Sequence, residues 1–309
     1  RELRRGRRVA GIGGLLSMRR LDNGGDLTLN PMMSVLTIQS RVASGYVGNS
    51  IAVPCLQQLG IEAVAVDTTM LSNHPAYGTF RGRVVPPEEI DELLLGVVTR
   101  TAPESFDAML SGYLGTTETG QSFLRVAATR RLGALYCLDP VLGDNERLYV
   151  NEDLVSFFQI EALPDADIIT PNAFEAGVLL GQESCTLENG AAIIDDLLKR
   201  GPTRIAVTGI ETPTGIATLA ATTSGLWIIE TPRIEVAEFG AGDAFAALLL
   251  GRLLTSDLSF AEAAAVAASS LYGLLALTRH LGKDDLAIVD GLDLVKEPSS
   301  QFTAEPFRS

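Results

Sequence analysis

The sequence predicts an α/β fold, a mostly parallel central sheet covered by helices on both faces. Three observations carry this. From residue 34 onward, short apolar runs alternate with helix-patterned stretches, and the runs are apolar at successive positions rather than at every second one. No Pro/Gly/Ser-rich linker and no 20–50-residue repeat divides the body. Strands apolar on both sides belong to buried parallel sheets, and strand–helix alternation builds them. With 309 residues, 46% of them hydrophobic, and mean hydropathy +0.22, residues 34–309 can form a single domain with a large core.

The elements follow in order. Val35-Leu36-Thr37-Ile38 is rich in β-branched residues and reads as the first strand; residues 47–59 read as a helix and 63–66 as a second strand. Residues 88–99 are helical in pattern, 107–110 extended, 117–132 helical and 134–138 extended. Asp167-Ile168-Ile169 is a strand feeding a helix from Asn172, then 189–199 is helical and 204–208 a strand. Two β-rich runs, 216–221 and 226–229, precede helices starting at Ala241 and Ala261. The longest apolar stretch, 263–277, is interrupted by Ser269 and Ser270 and flanked by Glu262 and Arg279. It falls short of the roughly 20 residues that span a bilayer, so it reads as a buried helix at the core or a subunit contact.

Charge narrows the function classes. Lys and Arg number 24 against 38 Asp and Glu, a net charge of -14, which argues against nucleic acid as a partner. Only three Lys occur (Lys199, Lys283, Lys296) and none follows a Walker-type glycine string, so that phosphate loop is excluded. Two His (His74, His280) leave little for a histidine-rich metal site or a triad. Cys55, Cys137 and Cys185 form no C-x-x-C pair, which removes zinc knuckles and a disulfide framework and fits a reducing cytoplasm. Residues 1–33 differ in kind: seven Arg against three acids give +4, leaving -18 for residues 34–309. This Arg-rich stretch is expected to be a disordered basic extension or added tail before a start at Met32 or Met33.

Ligands of an open α/β sheet sit at the carboxyl ends of its strands, and five strings fall there. Phe239-Gly240-Ala241-Gly242-Asp243 opens the helix from Ala241. Two Gly at a helix start let backbone N–H groups converge on an anion, and Asp243 is placed to take a proton from an alcohol attacking phosphorus. An ordinary capped helix start explains the string equally well. Leu138-Asp139-Pro140-Val141 with Asp144 is either a turn or a carboxylate pair able to hold Mg²⁺ beside a nucleotide. Thr170-Pro171-Asn172 with Glu175 is either a capping pair or further metal chemistry. Gly45-Tyr46-Val47-Gly48-Asn49-Ser50 follows the first strand as a turn into a helix and lacks dinucleotide-binding spacing. Leu71-Ser72-Asn73-His74-Pro75-Ala76-Tyr77-Gly78 reads as a long loop or flap between helical elements. Ser111-Gly112-Tyr113 places an aromatic ring at a strand end.

In order and spacing, these strings resemble the pyridoxal kinase family of the ribokinase superfamily, from about Ser34 to the helix ending near Thr278. The G-x-G-D and D-P-V pieces mark the superfamily; Gly45-Tyr46-Val47-Gly48-Asn49, which Ile38-Gln39-Ser40 precedes, and Ser72-Asn73-His74 mark the pyridoxal branch. The resemblance implies a ribokinase-like three-layer sandwich with a flap over the site. It implies ATP-dependent phosphorylation of the 5′-hydroxymethyl of pyridoxal, and of pyridoxine and pyridoxamine, by a cytoplasmic homodimer. It further implies Asp243 as base and Gly240, Ala241 and Gly242 as anion hole. Asp139, Asp144, Thr170 and Glu175 would serve Mg²⁺, with Thr170 also at a monovalent cation (K⁺ or Na⁺). Asp144, Asn172 and Thr208 would serve the nucleotide, and Ser40, Val47, Leu71 and Tyr113 the pyridoxal pocket. Three positions depart from the pattern: Arg41 stands where His is common, Pro75 where Thr is common, and Ala241 where Thr is common. Alternatives are a hydroxymethylpyrimidine or sugar kinase of the same fold, or a non-catalytic vitamin B6-binding protein.

Overall fold

The computed structural model describes residues 16–18, 29–102, 105–131, 133–236 and 239–308. Most of the basic extension predicted over residues 1–33 lies outside them; its described pieces are β1 (Leu16–Met18) and β2 (Leu29–Pro31), paired antiparallel. The body opens with β3 (Ser34–Gln39), α1 (Asn49–Gln58), β4 (Glu62–Asp67), β5 (Thr69–Leu71), β6 (Gly82–Val84) and α2 (Pro87–Arg100). Next come β7 (Ala108–Ser111), α3 (Thr117–Ala127), β8 (Leu135–Leu138), β9 (Gly143–Asp144) and β10 (Arg147–Leu148). A helical segment follows: α4 (Glu152–Phe157), a π-helical turn at Phe158–Ala162 and α5 (Leu163–Asp165). Then β11 (Ile168–Ile169), α6 (Ala173–Leu180), α7 (Gly190–Leu198), β12 (Arg204–Glu211), β13 (Gly215–Thr222) and β14 (Gly225–Pro232) lead to α8 (Ala241–Thr255). The chain closes with α9 (Phe260–Leu281), α10 (Leu292–Lys296) and β15 (Glu305–Pro306).

Nine strands form one sheet in the order β15-β14-β13-β12-β11-β8-β7-β3-β4. The six from β12 to β4 are parallel, and β13, β14 and β15 add antiparallel pairs at the other edge. The successive apolar residues of the central strands have a direct explanation. Leu36, Met109, Tyr136, Leu138, Ile169 and Ile205 enter one core, while Val35, Ala108, Leu110, Cys137, Ile168 and Ala206 enter the other. Alternate side chains therefore feed two helix layers, the three-layer architecture the sequence predicted.

α9, by length and composition apolar enough to cross a membrane, is instead a core helix: Ala263, Ala264, Ala267 and Leu274 are fully buried with α8 residues in one core. The helix predicted over 117–132 stops at Ala127. Arg130 donates to the Ala127 carbonyl (2.8 Å) and to Asp165 (3.3 Å), which caps the end. Residues 71–78 do not lie between helices; they form the tip of the β5–β6 hairpin.

Candidate active site

The predicted residues gather at the carboxyl ends of the parallel strands. Ser40 follows β3, Tyr113 lies just past β7, Asp139 follows β8, Thr170 follows β11, and Thr208 lies in β12 where its register shifts. Ladder bonds set neighbours side by side: the Asp139 amide donates to Ser111 O (2.8 Å), Thr170 to Leu138 O (3.0 Å) and Thr208 to Pro171 O (3.0 Å).

Asp139 is buried. Its Oδ1 accepts from the Thr170 hydroxyl at 3.0 Å, whereas its Oδ2 is buried with no hydrogen-bond partner. Burial, and then the charges of Asp243 and Glu175, push this carboxyl well above the usual range, with the Thr170 bond opposing. Three acids from three elements thus repel one another in a site that favours a proton or a cation.

Glu175 has a different situation. It forms a capping box with Asn172: the Glu175 amide donates to Asn172 Oδ1 (2.9 Å) and the Asn172 amide to Glu175 Oε2 (2.8 Å). Its Oε1 accepts from the amides of Leu142 (2.9 Å) and Gly143 (3.3 Å), and Asn172 Nδ2 donates to Gly143 O (2.8 Å). Burial raises the Glu175 carboxyl to about 7, against the pull of these amides. Capping and site chemistry, alternatives in the sequence, are therefore one structure, in which Glu175 ties the 142–143 turn to α6. Beyond that turn, Asn145 and Glu146 both take positive φ (46° and 60°). This two-residue reversal between β9 and β10 leaves Asp144 exposed at the site rim. The Tyr149 hydroxyl lies against Asp144 and is raised by burial and by that carboxylate.

α8 starts at Gly240, which holds the left-handed conformation (φ 79°). A Cβ there would overlap the carbonyl oxygen of Tyr46, so the position demands glycine. Among the described residues the first helical bond runs from Ala244 N to Gly240 O (2.9 Å), and the N–H groups of this opening turn carry the positive end of the helix dipole. Asp243 lies in this first turn. Burial raises its carboxyl above the usual range, and the amide of Gly48, which donates to it, opposes the rise. The Gly45–Asn49 loop thus touches the helix start twice.

The other wall is formed by segments bonded in series. Asn49 N donates to Ser40 O (2.8 Å), Leu71 N to Arg41 O (3.2 Å) and the Thr68 hydroxyl to Tyr113 O (2.6 Å). Val47 is buried, Tyr113 half-buried with its phenol raised by burial. Arg41 pairs with Asp67 at 3.7 Å. Over this wall the flap tip reaches α8: the His74 ring stacks on Phe239 (centroids 4.6 Å apart) and the Tyr77 ring meets it edge-on (5.5 Å). Burial lowers the His74 imidazole, with Asp144 and Asp285 pulling it back.

Four residues have contacts that their sequence strings did not assign to them. Asn49 holds the β3 and β4 ends together, Phe239 receives the flap, and Tyr77 bonds Asp285 across 208 positions. Phe239 had a signal in its adjacency to Gly240; the Tyr77–Asp285 pair had none.

Known proteins match the chain along most of its length. The phosphomethylpyrimidine kinase family model matches residues 53–288. A pyridoxal kinase PdxY of Rubrobacter xylanophilus is 39% identical over 279 residues, covering 87% of this chain and 96% of that protein. One from Granulibacter bethesdensis is also 39% identical, covering 88% and 99%. Among solved structures, the pyridoxal kinase of Leishmania donovani in complex with ADP and pyridoxamine superposes with a TM-score of 0.81 at 26% identity, covering 89% of this chain and 99% of that one. The chain belongs to the phosphomethylpyrimidine kinase family, among its pyridoxal kinases.

Proposed function

We infer that this chain is an ATP-dependent kinase that phosphorylates the 5′-hydroxymethyl of pyridoxal, and of pyridoxine and pyridoxamine, in vitamin B6 salvage. The observation that carries the reading is Asp243 in the first turn of α8, behind a left-handed Gly240 and close enough for its charge to raise the buried Asp139. The acceptor hydroxyl would lie against Asp243, whose raised carboxyl suits it to take the proton as oxygen attacks the γ-phosphorus. The amides of Gly240, Ala241 and Gly242 would meet charge developing on the phosphoryl oxygens. Asp144, Asn172 and Thr208 would flank the nucleotide; Ser40, Val47, Leu71 and Tyr113 would hold the pyridine.

The free, buried Oδ2 of Asp139 fits Mg²⁺, and among the described residues no three His, Cys, Asp or Glu side chains form a complete metal cage. That matches an ion that keeps waters and substrate phosphates as ligands. Asp139 and Asp144 would hold it, Thr170 would orient Asp139, and Glu175 would fix the turn that carries Asp144. When bound, Mg²⁺ neutralises phosphate charge.

A homodimer is part of the same reading, and Met70 and Val84 on the flap hairpin and Leu93 and Leu95 on α2 are exposed apolar side chains available to a contact. The three free, buried cysteines fit a cytoplasmic protein.

The test is Asp243→Asn in a coupled pyridoxal/ATP assay with ATP binding measured separately. Turnover is expected to fall by about 100-fold or more with ATP binding retained. Turnover within a few-fold of wild type would remove Asp243 from the role of base.

A further inference from the structure

The flap reaches the body of the protein through two sets of contacts at its tip. One is aromatic, His74 and Tyr77 on Phe239. The other is polar: the Tyr77 hydroxyl lies 2.8 Å from Asp285 Oδ1 and 3.1 Å from Asp284 O. Asp285 follows α9 and has a second neighbour, because a Cβ on Gly45 (φ 100°) would stand 2.7 Å from its Oδ1. One carboxylate therefore packs against both the flap and the loop whose next residues, Tyr46 and Gly48, touch Gly240 and Asp243.

The tip itself is prebuilt. Asn73 Nδ2 donates to His74 O (3.1 Å) and Thr79 O (2.9 Å), Ala76 N donates to His74 Nδ1 (3.3 Å), and Arg81 N donates to the Ser72 hydroxyl (2.8 Å). The hairpin base is fixed too, through Ala43 N to Leu71 O (2.8 Å) and Val85 N to Thr68 O (2.8 Å). Past the Ser44 N to Ser72 O bond (2.9 Å) near the base, the far end of this rigid tip has its polar hold on the body in the Tyr77 hydroxyl.

Resting on the kinase reading above, we propose that Tyr77 and Asp285 are positioning residues that latch the flap over the α8 start, so that the γ-phosphoryl goes to the bound alcohol and not to water. With the latch broken, water reaches the site. Its oxygen bonds to the γ-phosphorus, the bond to the β,γ-bridging oxygen breaks, and ADP, inorganic phosphate and a proton leave. Closing a site against water is a general means of directing such transfer.

The experiment measures ADP and phosphoester formed per unit time with saturating ATP and pyridoxal, in wild type, Tyr77→Phe, Asp285→Ala and Asp285→Asn. Wild type should give a ratio of ADP to ester near unity. Tyr77→Phe and Asp285→Ala should each raise its excess over unity, the share of ATP lost to water, about three- to tenfold, the scale of one lost hydrogen bond. The double variant should be no worse than either single one, and Asp285→Asn, which keeps an acceptor oxygen, should restore most of the coupling. A ratio unchanged in both Tyr77→Phe and Asp285→Ala overturns the proposal. If wild type forms no ester with any B6 vitamer, the kinase reading fails instead. The latch is then decided by trypsin cleavage after Arg81 and Arg83 with ADP present: faster cutting of Tyr77→Phe at unchanged thermal midpoint supports it, and equal rates overturn it.

Discussion

A Cβ on Gly240 would overlap the carbonyl oxygen of Tyr46, so the residue that opens α8 and the loop that follows β3 meet backbone to backbone. Gly240 also holds φ 79°, which costs an L-residue roughly 1–2 kcal/mol even without the clash. Gly240→Ala must therefore push the loop, and with it the Gly48 amide that faces Asp243. Activity is expected to fall about 100-fold, the scale of an ångström of misplacement, with a lower thermal midpoint. Gly242 is the internal control, because a Cβ there meets nothing within 4 Å and its φ is not positive. Gly242→Ala should keep or slightly raise the thermal midpoint, since Ala favours a helix over Gly by about 1 kcal/mol. Equal midpoints for the two variants would refute the steric account.

Glu175 sets a pH dependence of stability. Its folded carboxyl is raised from 4.5 to about 7, chiefly by burial. The folded state then holds more protons than the unfolded one between those values, so stability falls as pH rises through that window and is flat above it. At 1.36 kcal/mol per unit, the loss is roughly 3 kcal/mol. Asp139 and Asp243, also raised, act in the same direction. Urea unfolding of metal-free protein should show wild type losing stability from pH 4.5 to 7 and Glu175→Gln following a flatter line. Parallel lines would mean that Glu175 is ionised throughout.

The fold was legible because both helix layers press on the same strands: runs such as Ala108-Met109-Leu110 are apolar throughout, with alternate residues in opposite cores. The site was legible where its parts are contiguous, as in Gly240–Asp243 or Asn172 with Glu175, whose capping box is a local spacing. What stayed hidden depends on pairs distant in the chain. Asn49 meets Asp67, Glu175 meets Leu142, and Tyr77 meets Asp285 only after the sheet has formed. The end of α3 was hidden for the same reason, since Arg130 caps it partly through Asp165.

Asn49 is the stability hub of the substrate wall. It is almost fully buried, and its Nδ2 donates to Val66 O (2.9 Å) and Asp67 Oδ1 (2.8 Å). Its Oδ1 accepts from the Thr37 hydroxyl (3.0 Å), which in turn accepts from Gln39 Nε2 (3.0 Å). Asn49→Leu preserves volume and leaves the Val66 carbonyl without this donor. The expected cost is about 2–4 kcal/mol, read as a lower urea midpoint at unchanged m value. Because the Gln39 end of β3 is loosened next to Ser40, KM for pyridoxal should rise more than KM for ATP. A rise confined to ATP would assign the network to the other half of the site.

Asp139 separates stability from function by sign. Its Oδ2 is buried without a partner, and its charge is opposed by burial, by Asp243 and by Glu175. Asp139→Asn removes that charge while keeping an oxygen that can still accept from Thr170. In EDTA, where nothing offsets the repulsion, the variant should therefore melt at the same temperature as wild type or higher. A residue kept only for packing would show the opposite. With Mg²⁺ present the order should reverse: the Mg²⁺ concentration for half-maximal activity should rise about tenfold or more, the scale of losing one charge-assisted ligand. The two measurements test one claim from both sides, that Asp139 carries an electrostatic cost in the metal-free protein because its free oxygen serves a cation in the working one. A lower midpoint in EDTA together with an unchanged Mg²⁺ requirement would make Asp139 a structural acid held by Thr170.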